Sequence, residues 1–102
     1  MFKIAAEPTF DASLTIVGQG REQTLNVTFN AMPASEYRQM FKDISDGSLE
    51  VPDALLRIIK SWDADAELSK ATLEKLQDHQ PGSDWAILTG YGDALAVARK
   101  GN

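Results

Sequence analysis

Four acids fall at the spacing of a calcium loop. Asp63, Asp65, Glu67 and Glu74 occupy its first, third, fifth and twelfth positions, where oxygen ligands would surround a hard cation between two helices. The sixth position argues against that chemistry, because the sharp turn there needs glycine and the sequence has Leu68. Glu67 is also longer than the usual fifth-position ligand, and Ser69 competes for the same backbone as a helix N-cap. A solvated acidic connector is the simpler reading of Trp62-Asp63-Ala64-Asp65-Ala66-Glu67. The one histidine, His79, sits where a helix should end, and capping the negative end of a dipole suits it better than catalysis. No Gly-x-Ser-x-Gly elbow, no second histidine and no cysteine is present, so a hydrolase, a zinc site of the usual type and a thiol nucleophile all lack their parts. Gly18-x-Gly20 and Gly90-x-Gly92 lack the third glycine of a dinucleotide loop. The expectation is a non-enzyme with no catalytic, cofactor-binding or metal-binding residue.

The composition agrees. The chain has 102 residues, 43% hydrophobic and 25% charged, which suits one domain over 1–102 and leaves no room for two. Ten basic against fifteen acidic side chains leave a net charge of −5, so an electrostatic grip on nucleic acid is not expected. The absence of cysteine suits a reducing compartment. The N-terminus has no apolar run of signal length, and nowhere does an apolar stretch approach the length of a membrane span, so the protein is expected to stay in the cytoplasm. Asn26-Val27-Thr28 matches a glycosylation sequon, which has no consequence without a secretory route.

The elements that would carry any function follow from hydrophobic period. Phe10, Ala12, Leu14 and Ile16 alternate with their neighbours, as do Leu25, Val27 and Phe29, and Gly18-Gln19-Gly20 between them supplies positive-φ residues. The spacing predicts an antiparallel β-hairpin in residues 1–31. Two strands are marginal alone, so helices, a short third strand from Phe2 and Ile4, or another subunit must cover the apolar face. Residues 33–100 read as about four helices, so the fold class is α+β: a hairpin, extendable to a small sheet, followed by helices. The first helix carries Tyr37, Met40, Phe41 and Ile44 and stops at Gly47. The second opens at Val51-Pro52-Asp53 and is read through Leu55, Leu56, Ile58, Ile59 and Trp62. Ser69 caps the third, with Leu68 placed to staple on Leu73, and Leu76 follows before His79 and Gln80. Pro81-Gly82 breaks the chain before a last helix with Trp85, Leu88, Tyr91, Leu95 and Ala98. The expected core is Leu14, Ile16, Leu25, Val27, Phe29, Phe41, Ile44, Leu55, Ile59, Leu73, Leu76 and Leu88.

In that last helix Gly90 and Gly92 each cost about 1 kcal/mol relative to alanine. Close packing is one explanation. The other is a hinge that lets Asp93 to Asn102 open and uncover Trp85, Leu88, Tyr91 and Leu95 as a partner-binding surface, in which case alanine at both positions should stiffen the helix. Open sheet edges and the Leu- and Ile-rich second helix further predict a homo-oligomer.

Phe2-Lys3-Ile4 through Pro8-Thr9-Phe10 leading into the hairpin, Trp62-Asp63, then Leu68-Ser69, Leu73, Leu76, Pro81-Gly82, Tyr91 and the basic end Arg99-Lys100 follow one another in a familiar order. In that order, over nearly the whole chain, the sequence resembles the tail assembly chaperones of long-tailed bacteriophages. The resemblance implies a protein of the host cytoplasm, absent from the mature virion. It would coat the long apolar tape measure protein, keep it soluble, and recruit tail tube subunits that displace it. An acidic module with a spare apolar face suits such shielding. A small helical regulatory or adaptor protein of phage or bacterial origin, acting by protein–protein contact, is the alternative. A DNA-binding reading lacks a basic helix, since Arg and Lys are scattered singly among acids.

Overall fold

The computed structural model describes residues 1–97. In it the expected hairpin forms from β1 (Thr9–Gly18) and β2 (Arg21–Asn30), paired antiparallel from Thr9 opposite Asn30 to Gly18 opposite Arg21. The connection is a two-residue turn with φ of 55° at Gln19 and 73° at Gly20, the doubly positive geometry whose twist matches that of the strands it joins. Phe10, Ala12, Leu14 and Ile16 face inward opposite Phe29, Val27, Leu25 and Gln23, while Asp11, Ser13 and Thr15 face outward opposite Thr28, Asn26 and Thr24.

α1 (Ala34–Asp46) follows Pro33 and ends at Gly47, whose φ of 85° lets its N–H turn back onto the carbonyls of Asp43 and Ile44. α2 (Val51–Ile58) has its proline in the first turn and Asp53 beside it at the positive end of the dipole. α3 (Lys70–His79) is capped by Ser69, whose Oγ accepts the Thr72 N–H at 3.1 Å. α4 (Ser83–Leu95) runs unbroken through Gly90 and Gly92. Ala98, Arg99-Lys100 and the far end of the Asp93 to Asn102 segment lie outside the described residues.

Two expectations about local structure are corrected. The second helix stops at Ile58, and Ile59–Trp62 forms a strand, β3, with Ile59 already in extended backbone at φ −95° and ψ 119°. The third strand is therefore β3 and not Phe2 and Ile4, which are 83% and 92% exposed and outside the sheet. β-Branched Ile59 and aromatic Trp62 suit a strand, and the open edge of β2 offers backbone partners that a further helical turn would forgo. β3 lies antiparallel to β2, pairing Trp62 with Val27, Ser61 with Thr28 and Ile59 with Phe29, with a register irregularity between Thr28 and Phe29.

The helices cover the inner sheet face around one core of Val27, Phe29, Met40, Ala54, Leu55, Ile58, Ile59, Leu73, Ile87, Leu88 and Tyr91. Of the expected core residues, Val27, Phe29, Leu55, Ile59, Leu73 and Leu88 are fully enclosed. Leu14, Ile16, Leu25, Phe41, Ile44 and Leu76 are only partly buried and pack around that centre. The correction on α2 is larger: packed against α1, α3, α4, β2 and β3, it is the centre of the fold, so it has no surplus apolar face to drive association.

A candidate partner-binding cleft

α4 holds the residues read as a partner surface, and the fold separates them. Trp85 is 47% exposed and Leu95 half-buried, whereas Leu88 and Tyr91 are fully enclosed. Tyr91 belongs to an aromatic cluster, 4.9 Å from Phe29 edge-on and 6.0 Å from Phe10 between ring centres. Its hydroxyl donates to the Asn30 carbonyl at 2.7 Å, and burial pushes its pKa up to about 12, keeping it a donor. In the closed fold the four side chains make no common surface.

Gly90 and Gly92 have neighbours where a side chain would stand. A Cβ at Gly90 would lie 2.7 Å from Leu14 Cδ2, and one at Gly92 would collide with the Tyr37 hydroxyl. Both glycines thus permit close approach, of β1 to one face of α4 and of α1 to another.

A cleft of about 620 Å³ opens instead between the distal hairpin and α3. Thr72, Lys75, Leu76 and His79 fall at i, i+3, i+4 and i+7, so one face of α3 forms a wall. Ile16 and Leu25 of the hairpin, Trp62 of β3 and Ile87 of α4 supply the rest of its apolar lining. The far rim is the 63–66 connector, pinned where Trp62 Nε1 donates to the Ala66 carbonyl at 2.9 Å.

Asp63 accepts from the backbone N–H and the side-chain Nδ2 of Asn26, at 2.9 and 2.7 Å. These bonds, the side-chain one foremost, hold its carboxyl below the usual 3.8. Among the described residues no group of three or more acids and histidines is placed to hold a metal. His79 is the last residue of α3, as a dipole cap should be, and its ring shares the cleft with Ser83. Ser83 Oγ is nevertheless buried with no hydrogen-bond partner, so serine and histidine are not coupled as nucleophile and base.

The cleft is equipped for binding. Its lining mixes apolar and polar side chains, and its rim carries Arg21 and Lys75, neither of them in a salt bridge among the described residues, together with Asp63 and Asp65 of the connector. A model of the phage tail assembly chaperone family matches residues 1–102. The chain belongs to that family. No curated protein and no solved structure matches it. A tail assembly chaperone acts on protein partners, and the cleft is a concave surface of this chain open to one. No helix among the described residues is long and apolar enough to cross a membrane.

The cleft residues were only partly accessible from sequence. The α3 face is legible from its period, but period alone reads Leu25 and Ile16 as core and Trp62 as helical. Nothing in the sequence signals that these lie around one hollow, because the residues come from five elements.

Proposed function

We propose that this tail assembly chaperone binds an apolar helical segment of the tape measure protein, keeps it soluble in the host cytoplasm, and helps recruit tail tube subunits. It acts without catalysis and is absent from the finished virion. The cleft is the observation that supports this reading. One stripe of an amphipathic helix presents side chains at i, i+3, i+4 and i+7; Leu76, Leu25 and Ile16 offer them apolar walls, and Arg21 and Lys75 on one side with Asp63 and Asp65 on the other offer both signs of charge to the residues flanking the stripe. Its volume lies within the range of roughly 300–1,000 Å³ usual for binding sites.

Co-expression with the tape measure protein tests it. Leu76→Asp places a charge on the cleft wall at a half-buried position, and should sharply reduce the soluble tape measure while circular dichroism stays native. Trp85→Ala removes the one well-exposed side chain of the α4 group and should leave solubilisation intact. If Trp85→Ala abolishes it and Leu76→Asp does not, the partner lies on α4. A tape measure equally soluble with no chaperone present ends the reading altogether.

A further inference from the structure

Among the described residues, no strand pairs with one long edge of the sheet. β1 is outermost, in the order β1-β2-β3, and β3 covers only the β2 side. The hydrogen-bond phase of β1 follows from its two ends. Gly18 and Arg21 flank a two-residue turn, and Pro8 accepts from the Ala31 N–H at 2.9 Å, so the even-numbered residues of β1 bond to β2. The N–H and C=O groups of Thr9, Asp11, Ser13, Thr15 and Val17 therefore point away from the sheet, and none has a backbone partner among the described residues.

Proteins blunt such edges with short strands, lysine, proline or bulges. β1 has ten residues, no lysine, no proline, no irregularity in its register with β2, and a single charge, Asp11. We propose that a second copy of this chain occupies the edge, β1 pairing antiparallel with β1 across a twofold axis at Ser13 to make a continuous six-stranded sheet. The strand is complementary to itself in that register. Thr9 faces Val17 of the other copy, Asp11 faces Thr15, and Ser13 faces Ser13, so every outward-pointing backbone group gains a partner and the two Asp11 carboxylates are kept apart. On the inner face Phe10 meets Ile16 and Ala12 meets Leu14, extending one apolar layer from each half into the other. A foreign strand could satisfy the backbone, but nothing in β1 selects one, whereas its own sequence avoids like-charge pairs over its whole length. The interface shares only Ile16 with the cleft lining, and it stands independently of the tape measure reading.

Because the chain has no cysteine, single-cysteine variants report the register cleanly. Ser13→Cys should oxidise to a covalent dimer. Val17→Cys should not, since its two copies would lie roughly 26 Å apart at about 3.3 Å per residue. By sedimentation, Thr15→Lys, placed opposite Asp11, should tighten the dimer, and Thr15→Glu should weaken it about tenfold relative to wild type, two cross-strand pairs being altered in each dimer. Thr15→Pro, which removes an outward N–H but no bond to β2, should give a monomer with native circular dichroism; if it fails to fold, the Lys and Glu pair decides. Wild type monomeric up to about 1 mM, or a dimer in which Val17→Cys crosslinks and Ser13→Cys does not, would overturn the proposal.

Discussion

Tyr91 joins three parts of the molecule through one side chain: its ring packs on Phe29 of β2 and Phe10 of β1, and its hydroxyl satisfies the carbonyl that ends β2. Removing that hydroxyl leaves a poorly solvated carbonyl, so Tyr91→Phe should lower stability by about 1–2 kcal/mol, several degrees in Tm for a chain of this size. Its linkage to pH runs on the alkaline side. A pKa raised from 10.0 to about 12 contributes stability that is present below pH 10 and lost as pH rises through the folded value, a limb that the phenylalanine variant should lack in a melting series. Asp63 acts on the acid side. Its folded pKa lies below 3.8, so its contribution is present above that value and lost as pH falls through the lower one. Asn26→Ala removes both the side-chain donor and its orientation, and should flatten the loss of Tm below about pH 4. At the first position of the calcium-loop spacing, the Asp63 carboxylate pins the connector to β2.

Among the elements, α4 carries the open question of its two glycines. Alanine at either position gains about 1 kcal/mol of helix propensity, which is why stiffening and a higher Tm were the expectation from sequence. The packing opposes it. At Gly90 both Cδ atoms of Leu14 lie within 3.0 Å of the added Cβ, and Leu14 sits on a strand paired to Leu25, so the side chain must move against the sheet. Gly90→Ala should therefore lower stability by about 1 kcal/mol net, by overpacking. Gly92→Ala should cost less, because the tip of half-buried Tyr37 can swing outward. Urea unfolding of the two single variants separates packing from a hinge: a rise in stability in both would restore the weak-turn explanation and with it the opening of Asp93 onward. The β3 strand makes the complementary point. Its residues carry the apolar period of a helix, and an unfilled neighbouring edge still took them as a strand.

For the whole molecule, the balance of charge matters more than any single pair. The chain repels acids at long range, yet one rim of the cleft presents Arg21 and Lys75 while the other presents Asp63 and Asp65, so an acidic flank on a bound helix would gain only where it lies against the two cations. Reversing both, Arg21→Glu with Lys75→Glu, should weaken tape measure capture in proportion to its salt sensitivity in the wild type. A pull-down at about 50 and about 500 mM salt measures this. If the wild type is salt-insensitive and the double variant binds normally, the rim has no electrostatic part and the apolar lining alone holds the partner.

Local rules were sufficient for most of the fold. The period of two in Phe10–Ile16 and Leu25–Phe29, the stripe of Tyr37 to Ile44, the stop at Gly47, the Ser69 cap and the Pro81-Gly82 break all act within a few residues, and each appears where its spacing puts it. The order of features along the chain also pointed to the family. Tertiary structure alone decided the rest. Whether Ile59–Trp62 continued a helix or joined a sheet depended on the open edge of β2, with Ile59 pairing as far back as Phe29 and Trp62 as far back as Val27. Met40, Ile58 and Tyr91 became the enclosed centre, and Leu14 and Leu76 its margin, according to which faces met. The cleft exists because residues of β1, β2, β3, α3 and α4 meet around it. Periodicity states which side of an element is apolar; it carries no information on which other element, or which hollow, that side will face.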